Sequence, residues 1–346
     1  MMKHFLKKSW SEEKFAVLVF LILSLLPVFI SGYIIYILPQ YMLYGTLAMS
    51  LGLLWGFTGI LSFGQAGFFA LGAYTMGLCM KYNGFGINPA YAGIILSAFM
   101  GAGLATIIGY FLFSAGVRDA YFVIVTLALS IIVEQIAVSQ SDITGGWNGF
   151  FIDRMSLTLG SGREISLFND VPMYYFVLPL VAFVYFLLRK LITSKFGKVL
   201  IGIRENEDRA ISLGFNTSLY KTAAFAISGA VATWAGALYG THAGFVAPSL
   251  GGVSFSTEVV VWTALGGRTS LLGVFLGGVM VASLSNYLSA ITPRFWQLVL
   301  GILFVTTIIY FKGGVAGALT QFTLFNRKTP LKSIQEVRAE QAMRVD

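Results

Sequence analysis

From Phe15 to Leu38 the chain carries no charged side chain, and the same is true of Tyr91 to Phe113. A bilayer's hydrocarbon core is about 30 Å thick, and a helix of roughly 20 apolar residues crosses it. Apolar runs of that kind recur along the sequence, at 15–38, 42–57, 63–81, 90–113, 119–138, 173–190, 222–242, 256–267, 270–290 and 294–311. In lipid only helices or closed barrels satisfy every backbone polar group. These runs are continuous rather than alternating, so the expected fold class is all-α, a polytopic transmembrane helical bundle of about ten helices. The eighth run is too short to cross as a straight helix and is read as a broken or re-entrant segment.

Charge placement orients the bundle. The net charge is +8, yet only 11% of residues are charged. Lysine and arginine gather at the start (Lys3, Lys7, Lys8, Lys14), in the middle, and in the tail (Lys312, Arg327, Lys328, Lys332, Arg338, Arg344). That distribution is the positive-inside pattern of a membrane protein rather than a nucleic-acid footprint, so no nucleic acid is expected as a partner. With the N-terminus in the cytoplasm, five spans place loop 139–172 outside, where Asp142, Asp153, Glu164 and Asp170 outweigh Arg154 and Arg163. The sixth span returns to a basic loop at 191–221, and four more leave the tail inside. The expected domains are a cytoplasmic arm 1–14, a membrane domain 15–317 and a cytoplasmic basic tail 318–346. Five plus five spans also imply an inverted repeat, the plan of many transporters. Segments 61–77 and 227–244, both rich in Ser, Gly and Ala, are a weak internal echo.

Chemistry is bounded by what the motifs lack. There is no GxxxxGK[ST] phosphate loop, no HExxH and no CxxC. The histidines are His4 and His242, and Cys79 is the single cysteine. No catalytic residue, metal site or cofactor is expected on this chain, and it is not read as an enzyme. Glu134 and Glu258 fall near predicted outer ends of spans, so the span centres are expected to be free of acids. Ion coupling through a mid-membrane carboxylate is therefore poorly supported, and energy is expected from a separate subunit.

One polar stretch interrupts the oil: "FGKVLIGIRENEDRAISLGFNTSLYK", residues 196–221. "RENEDRAISLG" reads as a short exposed helix, with Gly214 as its C-terminal stop. By composition alone it is either a solvated orienting loop or a docking handle. Asp208-Arg209-Ala210-x-x-x-Gly214 looks like the EAA-x-x-x-G coupling loop of ATP-binding cassette (ABC) importer permeases, with Asp and Arg in place of Glu and Ala and without the distal Ile-x-Leu-Pro.

Longer segments carry a wider resemblance. "REN-E-DRAISLG" with the following "KTAAFAISGAVATWAGALYG", then "GLLWGFTGILSFGQAGFFALGAYTMGL", "VRDAYFVIVTLALS" with "ITGGWNGF", and "VVVWTALGGRTSLLGVFLGG" together resemble the branched-chain amino acid and urea permeases of ABC importers. The likeness runs over most of residues 40–317. It implies inward transport of branched-chain amino acids, or alternatively of urea or a short amide. A stand-alone channel or secondary carrier is the reading from another class. The implied partners are a second homologous permease subunit, two cytoplasmic ATPase subunits that bind the ATP and Mg, a solute-binding protein outside, and membrane lipids.

Three groups of residues are then candidates. Arg204, Glu205, Glu207, Asp208, Arg209, Ala210 and Gly214 would form the ATPase-coupling loop. Thr58, Gly59, Ser62, Gly64, Gln65 and Gly67 would lie along the translocation path, either as close helix packing or as a broken helix lining it. Gln65 can bond an amide or ammonium without importing charge. Thr144, Gly145, Gly146, Trp147 and Asn148, with Glu134 and Glu258, would sit at the extracytoplasmic mouth, where the glycines and Asn148 also fit a plain turn.

Overall fold

A computed structural model describes residues 2–306 apart from 31, 83–87, 118, 160–162, 297, 300, 303 and 304. The expected tail 318–346 and much of the run 294–311 lie outside the described residues. The protein is an all-α bundle: α1 Met2–Phe29, α2 Tyr33–Phe57, α3 Gln65–Tyr82, α4 Pro89–Ser114, α5 Asp119–Ser139, α6 Ser141–Thr144, α7 Asp170–Thr193, α8 Lys195–Glu205, α9 Glu207–Ser212, α10 Thr217–Ala243, α11 Val253–Gly266 and α12 Leu271–Ile291. Among the described residues six helices (α2, α4, α5, α7, α10 and α12) are long and apolar enough to cross a membrane. Helix starts follow side-chain chemistry. Asn88 accepts from the Ala90 amide ahead of Pro89, Asn216 accepts from Leu219, and the Ser270 hydroxyl accepts from Gly273.

The structure moves one expected boundary. The chain was read as breaking between residues 38 and 42, beside Pro39. It breaks instead at Gly32, whose φ of 80° suits only glycine, and α2 runs straight through Pro39. A proline inside a membrane helix is tolerated when neighbouring helices enclose it, and Pro39 is buried. Of the polar arm, residues 2–14 are likewise helix, continuous with the first apolar run.

Packing follows an exchange between halves. α10 lies along α3 and α4, while α2 lies along α11 and α12. α2 and α10 run in opposite directions and hold equivalent places. Each ends in a left-handed glycine, Gly59 at φ 80° and Gly244 at φ 69°. Each is followed by non-helical backbone that turns back into the bundle before the next helix starts, at α3 and α11. The segment echo read between 61–77 and 227–244 therefore joins helices that are not equivalent; the architecture pairs α2 with α10 and α3 with α11.

Small residues let these helices approach. A β-carbon on Gly236 of α10 would lie 1.9 Å from the Phe69 carbonyl oxygen of α3, and one on Gly72 would lie 1.8 Å from that of Thr233. On the other side, Gly278 of α12 meets Gly45 of α2, at 2.7 Å from a would-be β-carbon to the Gly45 Cα. Backbone contact of this kind is the usual substitute for hydrophobic driving force between helices in lipid.

The ends differ. At one, α8 and α9 form a polar cap with the start of α10. At the opposite, far end, segment 139–169 folds into α6, a 3₁₀ turn at Gly146–Asn148, the strand β1 Phe150–Phe151 and the hairpin β2 Ser156–Leu159 with β3 Arg163–Ser166. β1 pairs antiparallel with β4 Phe245–Val246, tying this end to the exit of α10.

Gly236→Val should overpack the α3–α10 crossing and cost about 3 kcal/mol. The detergent-solubilised protein should lose its thermal transition to lower temperature. Gly103→Ala, where nothing lies within 4 Å of the added carbon, should leave it in place.

Candidate functional site

The polar cap is built by two helices, not one. The stretch "RENEDRAISLG" breaks at Asn206, whose backbone is extended and whose side chain accepts from the Arg209 amide at 2.8 Å. Arg204 and Glu205 thus end α8, which buries Gly197, Leu200 and Ile203 against the bundle. Glu207 and Asp208 open α9, where acids favour a helix start. Only Ala210 of α9 is buried. At the other end the Gly214 amide donates to Ile211 and the Phe215 amide to Ala210, with Gly214 at φ 86°. That is a Schellman closure, and it places Gly214 where the sequence predicted a stop.

α9 is bolted down on two sides. Glu207 pairs with Lys221 at the start of α10, and both side chains are largely enclosed. Lys221 also sits over the Phe113 ring, 5.5 Å from its centre. Arg204 reaches across to donate to the Gly56 carbonyl at the end of α2 and pairs with Glu205. What these anchors leave uncovered is apolar. Ile211, Leu213, Phe215 and Leu219 are exposed, Leu213 to 71%, on a tip formed by α9, the turn after it and the first residues of α10. Periodicity could not reveal this patch, because its residues come from a helix, a turn and the next helix start.

Between this cap and the bundle lies a cavity of about 490 Å³. Its walls include Thr58, Gly59, Phe113, Phe122, Glu207 and Lys221. Thr58 and Gly59, two of the path candidates, therefore face open space under the cap. The remaining four do not. The Ser62 hydroxyl accepts from the Gly64 amide at 3.2 Å, Gly64 abuts Thr126, and Gly67 abuts the Ser130 backbone. Gln65 is buried with its amide fully engaged: the oxygen accepts from the Ser50 hydroxyl and the nitrogen donates to that of Ser228, each at 3.1 Å. Ser228 in turn donates to the Ser50 carbonyl. Gln65 therefore ties α2 to α10.

The second re-entrant turn, 244–252, corrects the placement of Glu258. Ser130, near the middle of α5, donates to the Gly251 carbonyl at 2.7 Å and lies 3.1 Å from the Ser256 hydroxyl. α11 consequently starts deep inside the bundle, and Glu258 lies at mid-bundle depth rather than at a mouth. The expectation of acid-free span centres fails for the same reason: a position near the start of a broken helix is not near a membrane surface. Glu134, one turn beyond Ser130, lies against Gly252 at the entry to α11.

At the far end the expected turn is a turn. Thr144 is buried and donates to the carbonyls of Ala137 and Gln140. Gly145 is at φ 75°, and a β-carbon there would lie 2.1 Å from the Gly149 carbonyl oxygen. Gly146 is buried and left-handed. These three shape the loop, while Trp147 (74% exposed) and Asn148 point outward beside the exposed Phe151. Arg154 pairs with Asp170 at 2.9 Å and sits over the Tyr36 ring, holding the loop onto α2 and α7. Among the described residues no group of three or more His, Cys, Asp or Glu converges as a metal site would require.

A multi-pass helical bundle with two re-entrant turns and a protruding polar helix defines a membrane transport subunit in architecture. Residues 33–308 match the family described as branched-chain amino acid transport system, permease component, and the chain belongs to it. The high-affinity branched-chain amino acid transport system permease protein LivM of Salmonella typhimurium is 30% identical over 78% of this chain. LivM of Escherichia coli is 29% identical over the same share. A probable LivM of Methanocaldococcus jannaschii is 28% identical over 70% of this chain and 77% of its own length. The chain spans just under two thirds, 66%, of the length of the two bacterial relatives. No solved structure matches it.

Lys221→Met should remove the enclosed ion pair that ties α9 to α10 and cost about 3 kcal/mol in thermal unfolding. The exchange K221E with E207K should recover part of that loss. A double-mutant cycle on the solubilised chain reads the coupling directly.

Proposed function

We propose that this chain is the permease subunit of an ABC importer that moves branched-chain amino acids inward, and that α9 is where the ATPase grips it. The observation that carries this reading is the exposed apolar tip at the end of α9, set among charges, with α9 tied to α10 by Glu207 and α8 tied to α2 by Arg204. A soluble-side apolar patch on a short, rigidly held helix is suited to a protein partner. The family membership and the names of the three relatives support the substrate class. Substrate is delivered by a solute-binding protein at the far end, where Trp147 and Phe151 stand exposed, and passes along a path shared with a second homologous permease subunit. ATP and Mg belong to the two ATPases; this chain does no covalent chemistry.

The positive-inside rule places the α8–α9 cap and both termini in the cytoplasm. Nucleotide-driven closure of the ATPases moves α9, and the bundle answers by shifting between inward-open and outward-open arrangements.

Leu213→Asp tests the grip without disturbing the fold, because the side chain is already mostly exposed. In the reconstituted complex, leucine uptake should fall at least about tenfold, the scale of losing one anchor at an interface, and the ATPase should no longer co-purify. Full uptake by this variant refutes the docking role. A cysteine at position 213 should be labelled only from the cytoplasmic side, and one at 147 only from outside; the reverse overturns the orientation.

A further inference from the structure

The re-entrant turn at 244–252 delivers α11 to the middle of the bundle with one face uncovered. Val253, Ser254 and Thr257 are exposed on it, and Glu258 is half-buried. Ser254 and Glu258 are one turn apart, so they share a strip. Glu258 lies between two depth markers: Ser256, beside Ser130 of α5, and Thr263, whose hydroxyl donates to the Ala48 carbonyl of α2 at 3.3 Å. Hydrocarbon cannot solvate a carboxylate at that depth, so acids there face an aqueous path or a counter-charge. Among the described residues no hydrogen bond or ion pair engages Glu258.

Its surroundings are aromatic. Phe255 and Trp262 flank Glu258 along α11, at three residues before and four after. Tyr44 of α2 has its ring centre 5.0 Å from that of Trp262, 5.5 Å from Phe255 and 5.5 Å from Tyr239 of α10. Glu258 acts electrostatically on Tyr44, whose hydroxyl accepts from Gln40 at 3.0 Å. Tyr44, Tyr239, Gln40 and Phe255 all keep some exposed surface despite their depth. The buried Trp262 Nε1 has no hydrogen-bond partner among the described residues. A lone carboxylate beside aromatic rings suits an organic cation: the carboxylate accepts from N–H groups, and ring faces attract the charge.

We propose that Glu258 receives the ammonium group of the amino acid in transit, with the rings of Tyr44 and Phe255 beside its aliphatic side chain. The uncovered strip Ser254–Thr257–Glu258 is then a wall of the path. This rests on the proposed function for the substrate class, and it adds a site to it.

The test uses the whole complex in proteoliposomes, with its ATPases and its binding protein. Glu258→Gln keeps shape and removes the charge. On complexes shown to be assembled, it should lower the initial rate of leucine uptake about tenfold, the value of one charge-assisted hydrogen bond. Unchanged uptake overturns the proposal. If the variant fails to assemble, the wild-type complex decides the matter with dicyclohexylcarbodiimide, which modifies carboxyl groups in apolar surroundings. Glu258 should be modified, as read by peptide mass, and a high concentration of L-leucine should protect it. 4-Methylvalerate, the same skeleton without the amine, should not. No modification, no protection by leucine, or equal protection by 4-methylvalerate or by sodium each overturn it. A wild-type complex that takes up a different solute and no leucine would instead sink the substrate reading, before Glu258 is tested at all.

Discussion

Backbone that leaves the helix inside a membrane protein must find its hydrogen bonds in the protein, because lipid offers none. Two stretches here are in that position, 58–64 and 244–252, and one helix serves both. On α5, the Thr126 hydroxyl accepts from the Phe63 amide, and one turn later Ser130 donates to the Gly251 carbonyl. The turns also help themselves: Thr58 and Ser62 accept from the amides two residues ahead, and the Leu250 and Gly252 amides donate to carbonyls three residues back. Remove α5 and both turns would expose unpaired backbone at membrane depth. The helices α3 and α11, which begin at these turns, depend on the same hydroxyls for where they start.

Much of this architecture was legible. Uncharged apolar runs announced the six helices that are long and apolar enough to cross a membrane among the described residues. The opposite placement of loops 139–172 and 191–221 followed from span parity. Boundaries failed where two turn signals lay close together. The runs 15–38 and 42–57 put a break at 39–41, but Gly32 has the positive φ a reversal needs, and proline is a weak breaker when neighbours enclose it. "RENEDRAISLG" reads as one helix by composition, yet it contains its own punctuation: Asn206 followed by two acids is an N-cap sequence. Depth was the quantity least available. Position along a chain converts to depth only for a straight crossing, so Glu258 looked peripheral until the re-entrant turn was seen to carry α11 inward. Gln65 is expected along the path, and the structure gives its amide partners in Ser50 and Ser228.

The two halves are equivalent in plan and different in finish. In the first, the re-entrant turn is sealed: Ser62 and Gln65 are enclosed, and Gly64 and Gly67 are pressed onto α5. In the second, the turn is longer, the following helix is shorter, and one face stays polar and open. Small residues make the first half a packing element. Ser254, Thr257 and Glu258 make the second half the one with chemistry to offer. An inverted repeat commonly supplies two similar frames, and here the side chains that follow each turn make one frame closed and the other open.

The anchoring of α9 gives a mechanical reason for the pairing of α2 with α10. Glu207 and Lys221 attach α9 to the first turn of α10, and Arg204, just ahead of it, attaches the same cap to the last turn of α2. These two helices then cross at Ser50 and Ser228, which Gln65 joins. Any displacement of the cap is therefore delivered to both members of the central crossing at once, at their ends, where leverage on the bundle is greatest. The cap is held by these polar contacts and by the apolar face of α8, whose Leu200 and Ile203 are buried against the bundle. A displacement of the cap also acts on Gly59, whose would-be β-carbon lies 3.0 Å from the Arg204 side chain. The first re-entrant turn thus begins directly beside Arg204 of α8, which with Glu207 ties the cap to the bundle by polar contacts.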